Sequence, residues 1–174
     1  MERFNQNDPR HIYDALEHTL VALKVVEPKL ELRLATLFHD IGKPFSYIKN
    51  NDGTASYPNH AKKSADMTRE IMNRMKFSKK MIQRVTKLVE YHDFEVPENN
   101  EMRIKSFLTN LGPENIDDLF KIKKANFYAK NPAYTSELSK IENDYAVLKS
   151  ITRKSSFLKK NEFKLSGKDL LDLG

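Results

Sequence analysis

Residues 33–44 read RLATLFHDIGKP, and this stretch decides the fold. An apolar helical run leads into the dipeptide His39-Asp40, and Gly42 and Pro44 then end the helix. The pair therefore sits at the inner end of an apolar helix. Two polar groups pointed into a domain interior cost several kcal/mol unless something compensates them. A metal ion compensates both, taking the imidazole lone pair and the carboxylate charge together. An anion at a helix C-terminus is also disfavoured by the macrodipole, which adds to the case for Asp40 as a ligand.

Outward from that stretch the chain reads as helices joined by short breaks. Residues 12–26 place Ile12, Leu16, Leu20 and Leu23 on one stripe and His11, Ala15, His18 and Ala22 on its neighbour. Residues 30–40 turn Leu30, Leu34, Leu37 and Phe38 inward, and 45–59 read as a loop or short turn. The third helix, 61–76, buries Ala65, Met72 and Met75. The fourth, 79–92, starts after Ser78 as N-cap and buries Met81, Ile82, Val85, Leu88 and Val89. An acidic loop over 93–101 precedes helices at 103–110, 114–130 and 133–152, with a short helix in KDLLDL near the end. No period-2 stretch is long enough for a sheet. The expected architecture is all-α: a compact multi-helix bundle with the site between helices.

The chain is 174 residues long with 39% apolar residues, enough for one domain with a buried core. It has no cysteine, which excludes disulfides, iron–sulfur clusters and thiolate zinc sites and fits a cytoplasmic protein. The start MERFNQNDPR has no apolar signal region, and no apolar run approaches the ~18 residues of a membrane span, so no membrane partner is expected. Net charge is +6, with basic residues gathered in KKMIQR (79–84), KIKK (121–124), 153–154 and 159–160. Nucleic acid or a phosphorylated ligand suits such a chain, and a solvated lysine-rich surface is the plain alternative.

The five histidines are His11, His18, His39, His60 and His92. A histidine in EHTLVAL, the pair in HDIGKP, and two later histidines in PNHAKKSA and VEYHD together resemble the HD-domain superfamily of metal-dependent phosphohydrolases. FNQNDPRHIYDALEHTL, the NH…SAD segment and FKLSGKDLLDLG narrow the resemblance to the HD region of bacterial CCA-adding enzymes (tRNA nucleotidyltransferases). That likeness implies an HD domain over 1–160 and, over 161–174, the start of a tRNA-binding region. It also implies that the chain is part of a longer enzyme. No Gly-Ser with a following Asp-x-Asp pair stands here to add nucleotides.

The resemblance implies a divalent ion held by His18, His39 and Asp40, with His60 and His92 holding a second ion or contacting substrate. Mixed His/Asp ligands suit Mn²⁺, Fe²⁺, Co²⁺, Ni²⁺, Zn²⁺ or Mg²⁺. The family's last Asp falls in a helix where this chain reads KKANFYA, so Asn126 stands there, with Asp93 and Asp118 as alternative carboxylates. A neutral amide binds a divalent ion less tightly. Asp40 would ligate and accept a proton, Lys43 would reach a phosphate oxygen as a point charge, and substrates would be 2′,3′-cyclic phosphates, 2′-nucleotides or small phosphate esters. Two further readings stand beside this one: a non-catalytic module that binds or scaffolds tRNA, with Phe127, Tyr128 and Tyr134 as base-stacking aromatics, and a stand-alone nucleotide phosphatase. His11 reads as structural or surface.

Overall fold

A computed structural model describes residues 1–2, 4–97, 100–133 and 136–162, with side chains described as far as Arg153. Helix α1 (Ala15–Val25) starts later than the periodicity predicts, because Asp14 caps it: its carboxylate accepts from the backbone N–H of Leu16 and Glu17, and Glu17 reaches back to the Asp14 N–H. Helix α2 (Leu30–Phe38) delivers His39 and Asp40 just beyond its last turn. A 3-10 turn over Lys43–Phe45 follows, then a small antiparallel hairpin of β1 (Ile48–Lys49) and β2 (Ala55–Ser56), with Ile48 opposite Ser56 and Lys49 opposite Ala55. Helices α3 (His60–Arg74) and α4 (Lys79–Tyr91) form an antiparallel pair, with Ser78 capping α4 as its sequence suggests. Helices α5 (Glu101–Leu111), α6 (Ile116–Tyr128) and α7 (Ser136–Glu162) complete the bundle.

The fold is all-α apart from that hairpin. Its core gathers Leu32, Met72, Leu88, Leu111, Ile116, Leu119, Ile122 and Leu148. No helix among the described residues is long and apolar enough to cross a membrane. Helix α7 runs to Glu162, through the expected domain boundary at 160; KDLLDL lies outside the described residues.

Of the two stripes expected over 12–26, Ala15, His18 and Ala22 are buried, while Ile12 and Leu20 are about half exposed. Two expected faces are corrected. In α2, Leu32, Ala35 and Thr36 are buried, and Leu30 and Leu37 are exposed. Met75 is exposed, because α3 has ended at Arg74 and the chain turns through Lys76 with φ near 61°. Each amphipathic pattern was wide enough to allow a rotation of the helix. Packing against α6 and α4 selected the face.

Candidate metal centre

Five helices bring side chains together around one carboxylate. The His18 ring comes from the middle of α1, and His39 and Asp40 follow the end of α2. His60 opens α3, His92 follows the end of α4, and Asn126 lies in the last turn of α6. Asn59 makes the α3 entry possible by taking a left-handed conformation (φ 57°), which asparagine tolerates better than most residues. Gly42 brings the chain after Asp40 against α3: an added Cβ would lie 2.6 Å from the His60 carbonyl oxygen and 2.7 Å from the Ser64 nitrogen.

All four histidine rings around Asp40 are oriented the same way. Nδ1 lies 3.0 Å from the Ala129 carbonyl in His18, 2.7 Å from that of Thr36 in His39, 2.9 Å from that of Tyr57 in His60 and 2.7 Å from that of Val89 in His92. A carbonyl only accepts, so each Nδ1 carries the proton and, in the neutral ring, each Nε2 keeps its lone pair. Those lone pairs converge on Asp40. Its Oδ2 lies 3.1 Å from His39 Nε2 and 4.0 Å from His18 Nε2; its Oδ1 lies 3.5 Å from His60 Nε2 and 3.6 Å from His92 Nε2. Thus one carboxylate serves two histidine pairs, one on each oxygen.

The donor set fits a cation. His18, His39 and Asp40 form one buried group able to hold a metal ion, and Asp40, His60 and His92 form another. His39 Nε2 and Asp40 Oδ2 are buried without a hydrogen bond, although the Lys43 ammonium lies 2.7 Å from that oxygen. His18 Nε2 also lies 2.7 Å from Asn126 Oδ1. With its proton on Nδ1, His18 presents a lone pair to the Asn126 amide, which is met either by a shared cation or by the amide N–H turned towards it.

The electrostatics keep ligands in metal-ready form. Burial, with the neighbouring His39 next in weight, lowers His18 to about 4, and burial lowers His92, so both stay neutral at pH 7. Burial pushes the Asp40 carboxyl up, but His39 and Lys43 beside it outweigh that and hold it well below the usual range. Burial pulls His60 down, but its bond to Asp40 together with the charges of Asp40 and Asp93 outweighs that and raises it.

A family model for the HD domain matches residues 12–125. The chain belongs to the HD-domain family. It is 29% identical over 136 residues to an A-adding tRNA nucleotidyltransferase of Deinococcus radiodurans, covering 75% of this chain and 31% of that protein. It is 35% identical over 104 residues to a CC-adding tRNA nucleotidyltransferase of Thermus thermophilus, covering 56% of this chain and 24% of that protein. The chain thus matches from 24% to 31% of the length of these curated relatives.

The residues anticipated for this HD domain's site do assemble: His18, His39, Asp40, Lys43, His60, His92 and Asn126. Asp118 does not join them, being bound instead by Lys29 (2.9 Å) and Arg84 (2.5 Å). Asp93 lines the cavity beside His92 but belongs to neither donor group. Lys43 is more buried than expected, its ammonium held 2.7 Å from both Asp40 Oδ2 and Gln6 Oε1. His11, read as structural or surface, instead lines the cavity of about 220 Å³ over the centre, as do Asp8, Arg10 and Lys130. Gln6, buried beneath this rim, was also missed. Among the aromatics, Phe127 packs on the core, Tyr128 is exposed, and Tyr134 lies outside the described residues.

Proposed function

We propose that this HD domain is a cytoplasmic, metal-dependent phosphohydrolase acting on small phosphate esters or cyclic phosphodiesters such as 2′,3′-cyclic nucleotides or 2′-nucleotides. The observation that carries this reading is the convergence of four histidine Nε2 lone pairs on the two oxygens of Asp40. His18, His39, Asp40 and the Asn126 carbonyl would hold one divalent ion, and Asp40, His60 and His92 a second. When bound, such ions supply Lewis acidity and a lowered pKa for a coordinated water. The chain's own residues do the rest. Asp40 bridges the two halves, with the proton-accepting role open to it only if one oxygen is released. Lys43 balances its charge, and Arg10 and Lys130 line the same cavity, Arg10 paired with Asp8 and Lys130 with Glu137.

The test is hydrolysis of 2′,3′-cyclic AMP by the purified chain with added Mn²⁺, Co²⁺, Ni²⁺, Zn²⁺ or Mg²⁺, beside a His39→Ala/Asp40→Ala variant. Turnover that needs metal and disappears in the variant supports the proposal. A folded protein that turns over nothing with any of the five metals overturns it.

A second reading, a tRNA-contacting module, draws on the charge distribution and on the relatives' tRNA substrates. Residues 60–88 hold nine Lys or Arg against two acids, a net +7 where the whole chain carries +6. Lys79, Lys80 and Gln83 stand exposed on α4, whereas Lys121 and Lys124 of the other basic run are paired with Glu27 and Glu142. Affinity for tRNA that falls steeply with salt and drops in Lys79→Glu/Lys80→Glu would support it; absence of binding at low salt would defeat it.

A further inference from the structure

The arm that precedes α1 carries a hydrogen-bond relay that ends in the cavity. Lys43 has an ammonium, which only donates, and it lies 2.7 Å from Gln6 Oε1. That contact fixes which end of the Gln6 amide is oxygen. The Gln6 nitrogen is therefore turned the other way, 3.0 Å from His11 Nδ1. Since that nitrogen donates, His11 Nδ1 must accept, and the ring proton sits on Nε2. This is the opposite tautomer from the four rings around Asp40, where each Nδ1 donates to a carbonyl.

Gln6 is held so that the relay cannot turn over easily. It is only 1% exposed, its nitrogen also lies 3.4 Å from the Tyr13 carbonyl, and the Tyr57 hydroxyl donates to its backbone oxygen. The arm itself is tied down at both ends: the Ala15 N–H donates to Phe4, the Ala55 N–H to Asn7 and the Asn131 N–H to Arg10. His11 packs edge-on against His18, with ring centroids 4.8 Å apart, and lines the cavity together with Asp40, His60, His92 and Asn126. Its Nε2–H has no acceptor among the described residues. His11 and Gln6 both precede the family match at 12–125.

We infer that His11 is a neutral hydrogen-bond donor to a phosphoryl or bridging oxygen of the phosphoester bound in this cavity, and that Gln6 is the positioning residue that sets its tautomer. The inference rests on the phosphoester reading of the cavity. It adds a contact that holds and discriminates substrate without holding metal. A donor already held in the cavity wall needs little reorganisation when charge grows on a phosphate oxygen.

Ring-nitrogen NMR of the metal-free protein tests the tautomer. His11 should show Nε2–H, and Gln6→Glu should move it to Nδ1–H, because a carboxylate facing Lys43 with one oxygen can only accept with the other. Calorimetry with inorganic phosphate on the Mn²⁺-loaded protein tests the role. His11→Leu, a change on a half-buried ring, should weaken phosphate about tenfold with metal content unchanged, and His11→Gln should restore most of the loss. An Nδ1–H tautomer in the wild type, wild-type protein that binds no phosphate, or a leucine variant that binds it as tightly would each overturn the inference. Neither readout needs turnover, so a phosphate-binding but inactive protein would sink the hydrolase reading and leave this one standing.

Discussion

His18 Nε2 stands 2.7 Å from Asn126 Oδ1, two groups separated by 108 residues of chain. The Ala129 carbonyl already takes the ring's proton at Nδ1, so Nε2 offers its lone pair to the Asn126 amide, which meets it through its N–H or through a shared cation. Replacing Asn126 with Asp adds a negative charge at this point, and divalent ions should then bind more tightly, on the order of tenfold, or about 1.4 kcal/mol. Asn126→Leu should weaken them by a similar factor. Titration calorimetry with Mn²⁺ at pH 7.5 measures both; equal affinity in all three proteins would remove Asn126 from the ligand set.

Asp40 joins both histidine pairs, so its loss should abolish metal binding at once rather than halve it. Asp40→Ala with His39→Ala should take bound metal, measured by elemental analysis, to background while the far-UV spectrum keeps its helical form. Asp40→Ala alone leaves the buried Lys43 ammonium with no anionic partner, only Gln6 and the Tyr57 ring face, and stability should fall by about 3 kcal/mol. Stoichiometric metal in the double variant would contradict the assignment.

The metal-free protein should lose stability as pH falls. His18, lowered to about 4, and His92 and His11, both lowered chiefly by burial, bind fewer protons folded than unfolded once pH drops below about 6.5. Their contribution is present above that pH and is lost towards 4. His60 is raised and opposes them, being stabilising at low pH and losing that effect as pH rises. Three groups against one set the net sign. The urea midpoint of EDTA-treated protein should be lower at pH 5 than at pH 7.5, and His18→Gln should shrink the difference. A midpoint that rises on acidification would show that His60 dominates.

Gly42 has an ordinary φ of −82°, so its requirement is space. An added methyl meets the backbone of His60 and Ser64, which cannot swing aside as a side chain would. Gly42→Ala should cost about 2 kcal/mol or more and loosen the contact of His60 with Asp40. Thermal unfolding together with Mn²⁺ affinity checks it; an alanine variant unchanged in both would mean that the α3 junction yields freely.

Asp118 accepts from Lys29 and Arg84 and is nearly buried. These bonds outweigh burial and lower its carboxyl, so its stabilising effect should vanish as pH falls below the ordinary carboxylate range. Asp118→Ala should destabilise by about 2 kcal/mol at pH 7, a figure reduced because both cations are partly exposed. Metal affinity should not change, since Asp118 lies outside both donor groups.

The sequence by itself determined the number and order of the helices from α1 to α6 and the stop after His39-Asp40, while the four histidines of the site were picked out by the resemblance to the HD-domain family and not by patterning. The helices and the stop follow from local causes: period-3.6 patterning, caps such as Ser78, and breakers such as Gly42 and Pro44. Three of the ring orientations are nearly local as well, since His39, His60 and His92 each donate to a carbonyl three residues back. Only the tertiary structure decided that α1 buries its histidine stripe rather than its leucine stripe, because burial depends on what packs on each side and a pattern shared by two faces does not say. It likewise decided that Asp118 is spent on Lys29 and Arg84, that Asp40 divides its oxygens between two histidine pairs, and that Gln6 links Lys43 to His11. Each of these joins residues tens of positions apart or in irregular backbone, where sequence spacing carries no distance.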